Sequence, residues 1–297
     1  MPSPSPFVLV ADAIHVCAGA NRAFLLYHAS HTSFRQVGYL QIYFPLFNCL
    51  LIKFTWSVED MCPVTPGMLN ARREKDCVAI TNERKYYSLI GSFVKRSLRP
   101  SEWQHNPVVG TLSIPRFGNE RILNEAAALR FIAENTNIPV PKLYGCFEDD
   151  NAVYLVTELI EGVKLADLEP AQRKSVELEL EGYIDVLRGL KSSVWGGPSG
   201  IVIPPYRIMV EAYRQAWKMK PRESSDLVFC HNDFSAHNVI VDPVSLKVKA
   251  VIDWEYAGFY PQEFESEFFR RPGPSVALDG ERNDVEELLE IMYQNEE

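Results

Sequence analysis

No two of the six cysteines, Cys17, Cys49, Cys62, Cys77, Cys146 and Cys230, stand in C-x-x-C spacing. This excludes a zinc ribbon, and the wide scatter excludes a disulfide framework, so reduced thiols in a cytoplasmic compartment are expected. Cys230 continues an apolar run and reads as a buried structural thiol. A basic excess is lacking as well: 30 Lys and Arg stand against 39 Asp and Glu, with a formal charge of -9. That balance leaves no electrostatic footprint for a phosphate backbone, so no nucleic-acid partner is expected. Acidity of this size serves solubility first and a cationic ligand second. The opening MPSPSP has no positively charged stretch ahead of an apolar one, and no secretory signal is read there. Residues 36–52, QVGYLQIYFPLFNCLLI, are uncharged but at the short limit for a membrane span, and Gln41, Pro45 and Asn48 interrupt them. They read as an appended apolar extension rather than a membrane helix. The glycine-rich stretch at residues 195–200, WGGPSG, is not followed by Lys-Ser/Thr, which excludes a nucleotide P-loop at that point.

What is present is a chain of 297 residues, 46% hydrophobic and 23% charged, long enough for one large or two modest domains. Its densest chemistry lies in residues 227–258, LVFCHNDFSAHNVIVDPVSLKVKAVIDWEYAG. Leu227, Val228 and Phe229 read as a short strand, and the polar cluster His231, Asn232, Asp233, Ser235, His237 and Asn238 must then lie in a loop. Val239, Ile240 and Val241 restart a strand, Asp242-Pro243 turns it, and residues 248–252 return as a second apolar strand ending on Asp253. The strands thereby bring Asp233, Asn238 and Asp253 to one end of a hairpin. Singly, each is most often a surface polar residue or a turn former. Together, one carboxylate able to take a hydroxyl proton and two hard oxygen ligands for magnesium suit phosphoryl transfer from ATP.

The pattern His-x-Asp-x-x-x-x-Asn, followed by an apolar strand ending in Asp, resembles the loop and metal-binding segment of the kinase-like superfamily. His231-Asn232-Asp233 with Ser235 is similar to the aminoglycoside phosphotransferase and choline kinase branch. The surrounding GPSG, PPYR and FCHND resemble fungal members of the phosphotransferase enzyme family. Protein kinases usually have Lys or Arg at the position of Ser235 and Asp-Phe-Gly where this chain has Asp253-Trp254-Glu255. No Ala-Pro-Glu signature follows.

From about Met61 onward the resemblance covers nearly the whole chain. Residues 77–80, 86–90 and 92–95 read as three short strands, with no glycine-rich phosphate loop between the first two. The resemblance implies that Lys95, on the third, contacts the ATP phosphates; Arg96 and Arg99 are its rivals, which strand alternation turns elsewhere. Ile122, Glu125, Leu129 and Ile132 follow 3-4-3 spacing in a helix begun by Asn119 and stopped before Ile138-Pro139, so Glu125 lies on the apolar face. A carboxylate there needs a partner, and Lys95 is the obvious one. Residues 143–147 and 152–157 form an apolar hairpin whose exit, Glu158-Leu159-Ile160-Glu161-Gly162, resembles the hinge between kinase lobes. There the resemblance implies that the carbonyl of Glu158 and the N–H of Ile160 read the adenine, with Thr157 behind it. A helix over residues 170–191 presents Val176, Leu180, Tyr183, Leu187 and Leu190 on one face. Tyr206, Arg207, Tyr213, Arg214, Trp217 and Lys218 either line an acceptor pocket or form a packed helical excursion. Glu263, Glu265 and Glu267 read as an exposed acidic loop that could attract a cationic acceptor. Residues 284–293 read as a closing helix, with Val285, Leu288, Leu289 and Met292 inward.

The expectation is a two-lobed, protein-kinase-like α+β fold with a small antiparallel-sheet N-lobe (61–160), a mainly helical C-lobe (161–297) and an N-terminal extension (1–60). Its function would be transfer of the terminal phosphate of ATP to a hydroxyl of a small molecule. Asp233 would act as base, Asn238 and Asp253 as Mg2+ ligands, Lys95, Glu125, Glu158 and Ile160 at the nucleotide, and His231 as a brace for the loop. A non-catalytic kinase-like binding protein is the alternative, and a protein kinase the third reading. Nothing before Met61 supplies a phosphate or metal ligand. Deletion of residues 1–60 is therefore expected to leave ATP affinity unchanged in calorimetry, whereas a truncation that unfolds would place the apolar stretch in the core.

Overall fold

The computed structural model describes residues 29–30, 35–44, 47–57, 67–68, 73–106, 110–212, 219 and 224–293. The chain divides into two compact units, Met1–Met61 and Cys62–Glu297. In the first, β1 (Ala29–Ser30), β2 (Arg35–Phe44) and β3 (Phe47–Ser57) form an antiparallel sheet in that order, with Leu40 opposite Ile52 and Gly38 opposite Phe54. Residues 36–44 and 47–52 of the apolar run are thus built into strands, which suits their Val, Ile, Tyr and Phe content. Among the described residues no helix is long and apolar enough to cross a membrane.

The second unit begins with β4 (Cys77–Ile80), β5 (Arg84–Leu89) and β6 (Ser92–Ser97). Gly91, at a φ of 71°, closes the two-residue turn between β5 and β6, where a side chain would be strained. A two-stranded piece, β7 (Gln104–His105) with β8 (Leu112–Ser113), leads to helix α1 (Gly118–Asn135). Then come β9 (Leu143–Asp149) and β10 (Ala152–Glu158), joined by Asp150 and Asn151, both at positive φ. Asp and Asn are the residue types besides glycine that tolerate that region, and a hairpin with two such residues matches the right-handed twist of its strands. The five strands form one antiparallel sheet in the order β4-β5-β6-β10-β9, against which α1 buries Ile122, Leu129 and Ile132.

The remainder combines helices with two three-stranded sheets. β11 (Val163–Lys164) precedes α2 (Pro170–Gly189), whose first position holds proline and whose Gln172 side chain accepts the Glu169 N–H at 3.2 Å. Both features favour a helix start. Val176, Leu180, Ile184 and Leu187 form its buried face, while Tyr183 is only half-buried and donates its hydroxyl to Glu179. After β12 (Lys191–Ser192), α3 (Tyr206–Glu211) and β13 (Leu227–Cys230), the hairpin of β14 (Val239–Val241) and β15 (Val248–Val251) leads into β16 (Gly258–Tyr260) and the closing helix α4 (Val285–Tyr293). The sheets run β11-β14-β15 and β12-β13-β16. Together the described elements of this unit make a two-lobed α+β fold: an antiparallel-sheet lobe with one long helix, then a lobe of helices and short hairpins.

A single core joins α1, β10, α2, β13, β14 and the segment after β15 through Leu129, Leu155, Leu180, Phe229, Val239 and Trp254. Close backbone approach matters at Gly258, where an added Cβ would lie 2.6 Å from the carbonyl carbon of Gly196. Leu180 is fully buried at the centre of this core. Truncation to alanine is expected to destabilise the fold by about 2–5 kcal/mol, read as a lower urea midpoint at unchanged slope.

Candidate active site

The strand pairing explains why residues twenty positions apart converge. Val239 of β14 pairs with Val251 of β15, and the Ile252 N–H continues the ladder to the Asn238 carbonyl at 2.9 Å. Asn238 and Asp253 therefore flank one end of the hairpin. Asp233, in the preceding loop, is tied to the same point, since Asn238 Nδ2 donates to the Asp233 carbonyl at 2.8 Å and to its carboxylate at 3.1 Å. β13, which begins this segment, belongs to the other sheet through its pairing with β16. Two residues here hold left-handed backbone, Asn232 at a φ of 64° and Asp253 at 65°. Such conformations persist only where the surroundings enforce them. Asn232 donates its side-chain amide to the Tyr256 carbonyl at 3.0 Å, and Asp253 is held by Lys95.

Lys95 sits on β6, and its Nζ lies 2.6 Å from Glu125 Oε2 on α1 and 2.6 Å from Asp253 Oδ1. Burial works against its charge, but the Asp253 and Glu125 carboxylates outweigh it and hold the ammonium well above its usual pKa. Arg96 turns away to Glu102 at 2.7 Å, and Arg99 to Asp150 at 2.7 Å. His231 is fully buried, stacked on Phe234 and in tilted contact with Trp254. Burial drives its pKa down to about 4, so the ring is neutral, with Nε2 donating to the Ile252 carbonyl at 3.0 Å and Nδ1 accepting the Asp233 N–H at 3.3 Å. Burial, and next the charge of Asp253, push Asp233 up to about 8.

A cavity of about 410 Å³ opens between the lobes of this unit. Phe93, Leu155, Ile240 and Ile252 supply apolar walls, Lys95, Asn238 and Asp253 line one end, and Thr157, Glu158, Leu159 and Ile160 line the other. This size and mixture are those of a small-molecule pocket. All the residues expected at the nucleotide thus border one cavity, while Asp233 adjoins it through Asn238.

The structure also brings in residues that the sequence did not mark. Glu255 receives Arg84 of β5 at 2.5 Å and Arg121 of α1 at 3.3 Å. Burial opposes its charge, yet Arg121 and Arg84 hold it at about 2. Asn124 donates to the carbonyls of Glu255 and Ala257 at 3.1 and 2.9 Å, fastening α1 to the segment after Asp253. Polar residues on the buried side of a helix were the available signal, and at Asn124 and Arg121 it was present but unread. The acidic-loop reading needs correction at Glu265. Glu263 and Glu267 are exposed, whereas the Glu265 carboxylate is buried and accepts the backbone N–H of His231. The loop needs an acceptor for its inward-facing N–H, and a carboxylate provides it. Of the aromatic and basic stretch, Tyr206 packs edge-on against Tyr256 and Arg207 binds Asp284 at 2.8 Å; Tyr213, Arg214, Trp217 and Lys218 lie outside the described residues.

The donor set suits magnesium. Asn238 spends its amide hydrogens on Asp233 and keeps its carbonyl oxygen as an acceptor, while Asp253 engages Lys95 through one oxygen and retains the other. Around this point Lys95, Arg84 and Arg121 face Glu83, Glu125, Asp253 and Glu255, with Asp233 adjacent, so carboxylates outnumber cations. A polyphosphate would need a cation to enter.

Burial raises Glu265 from 4.5 to about 7. A carboxylate whose folded pKa exceeds the unfolded one contributes stability below the unfolded value and loses it as pH rises through the folded value. Stability is expected to fall between pH 4.5 and about 7 by a component that Glu265→Gln abolishes, as read from urea unfolding across that range. Identical pH dependence in the two proteins would show that Glu265 does not titrate in this way.

Comparison with known proteins places the same segment at the centre. Residues 204–265 match the model of the Phosphotransferase enzyme family. An aminoglycoside 3'-phosphotransferase from Streptomyces fradiae is 30% identical over 141 residues, covering 39% of this chain and 52% of that protein. A serine/threonine-protein kinase D from Synechocystis sp. is 35% identical over 68 residues, covering 23% of this chain and 13% of that protein. The chain thus spans at most about half the length of these curated relatives. Among solved structures, a thermostable mutant of aminoglycoside phosphotransferase APH(4)-Ia in ternary complex with ADP and hygromycin B aligns at a TM-score of 0.43 and 16% identity, covering 64% of this chain and 68% of that one. An aminoglycoside-3'-phosphotransferase of type VIII aligns at 0.41 and 20%, covering 66% and 78%. The 231–238 loop and Asp253 both lie inside the segment that matches the model of the phosphotransferase enzyme family.

Proposed function

We propose that this protein transfers the terminal phosphoryl group of ATP to a hydroxyl of a small molecule. The observation that carries the reading is the convergence of Lys95, Glu125, Asn238 and Asp253 on one cavity, with Asp233 tied to Asn238. The adenine would lie at the Thr157–Ile160 end, read by the Glu158 carbonyl and the Ile160 N–H. Lys95, aligned by Glu125, would contact the phosphates. Asn238 and Asp253 would hold magnesium, which when bound neutralises charge on the phosphate oxygens. Asp233 orients the acceptor hydroxyl and takes its proton as the oxygen attacks. A pKa raised to about 8 suits a base working near neutral pH. His231 does no proton chemistry in this scheme: neutral, buried and bonded through both nitrogens, it fixes the loop that carries Asp233. The acceptor is a small molecule whose class an activity screen by ATP consumption would establish. Cys77, Cys146 and Cys230 are free, which fits a reducing, cytoplasmic compartment.

Calorimetry tests the site. ATP is expected to bind only with magnesium, and Asp253→Ala should weaken binding more than Asn238→Ala, because a charged ligand offsets more phosphate repulsion than an amide. Asp233→Ala should keep ATP affinity and lose turnover by several orders of magnitude. Equal ATP affinity with and without magnesium would count against the metal ligands. Nucleotide binding with no turnover on any acceptor would favour a binding protein over an enzyme.

A further inference from the structure

The turn between β4 and β5 spends most of its backbone N–H groups on its own hydrogen bonds. The N–H groups of Glu83 and Arg84 donate to Thr81 Oγ1 at 3.2 and 3.0 Å, and the Thr81 N–H donates to the Arg84 carbonyl at 2.9 Å. No glycine interrupts Thr81-Asn82-Glu83-Arg84. Side chains also fasten the turn: Glu83 to Arg121 at 2.5 Å, and Arg84 to Glu255 at 2.5 Å and to the Gly118 carbonyl at 2.9 Å. With the Thr81, Glu83 and Arg84 amides engaged and both ends anchored, this turn offers few backbone N–H groups to an anion.

Two residues further along β5 stands Tyr86. It lines the cavity, is the cross-strand partner of Lys95, and its ring stacks on Phe93 with centroids 6.0 Å apart. Cross-strand partners project to the same face of a sheet, so the phenol shares the face of the Lys95 ammonium, and the charges of Lys95 and Asp253 act on it. Among the described residues its hydroxyl has no hydrogen-bond partner. A phenol beside a lysine and a metal-binding carboxylate, with its O–H unspent, is a donor awaiting an anionic acceptor.

We propose that Tyr86 is a phosphate-contacting residue, donating its hydroxyl to the polyphosphate of the nucleotide beside Lys95. The proposal rests on the nucleotide reading of the cavity given above. Burial keeps the phenol protonated, its pKa pushed up to about 12, so it stays a donor throughout the neutral range.

Tyr86→Phe removes the hydroxyl and retains the ring on Phe93. Calorimetry on the full chain with magnesium should show ATP and ADP affinities reduced roughly tenfold or more, the loss expected for a hydrogen bond to a charged group, with adenosine affinity unchanged. Unchanged affinity for all three would overturn the proposal while leaving the nucleotide reading intact. Equal loss for adenosine would also overturn it, by assigning Tyr86 to the shape of the pocket rather than to phosphate. Absence of ATP binding by the unaltered protein would overturn the nucleotide reading and this proposal together.

Discussion

The Lys95 ammonium holds three separate parts of the chain at one point. β6 carries it, α1 supplies Glu125, and the turn after β15 supplies Asp253, each carboxylate at 2.6 Å. A charge buried this far from water is tolerated only when it is paired, and removing one partner from such a group costs about 3–5 kcal/mol. The relative placement of sheet, helix and hairpin is therefore constrained by electrostatics as well as by packing. Glu255 repeats the device two residues later with the opposite sign, drawing Arg84 from β5 and Arg121 from α1. The two centres are adjacent, since Lys95 Nζ and Glu255 Oε2 are 4.0 Å apart.

This arrangement requires backbone that ordinary residues resist. Asp253 delivers its carboxylate from left-handed geometry, and Asn232 turns the loop that carries Asp233 in the same way. The surrounding contacts enforce both. Trp254 is fully buried against His231 and Phe229, and Asn124 grips the carbonyls on either side of Tyr256. Gly197 completes the junction, because any Cβ there would collide with the Asn124 side chain. Rigidity at the site thus comes from neighbours packed behind it.

Much of the second unit was legible in the chain. Short apolar runs broken by Gly91 and by Asp150-Asn151 marked the strands, and the 3-4-3 spacing of Ile122, Glu125, Leu129 and Ile132 marked α1. Lys95 and Glu125 could be paired because a carboxylate on an apolar helix face has few ways to be satisfied. Elsewhere the local pattern misled. Glu265 sits among charged neighbours in a stretch that resembles a solvated loop, yet it is the acceptor for the His231 N–H. The apolar stretch read as an extension is described as strands at residues 36–44 and 47–52.

The sequence by itself determined which chemistry the loop could host. Spacing along a strand-loop-strand places Asp233, Asn238 and Asp253 within reach of each other with little help, since β14 and β15 lie close in the chain and pair directly. Only the tertiary structure decided which of many charged residues meet over long separations. Arg84 and Glu255 are 171 positions apart, and Lys95 and Asp253 are 158. Periodicity reports which face of an element is buried, but it carries no information about the partner on the other side; that choice is made when the lobes close and each buried charge needs an opposite one.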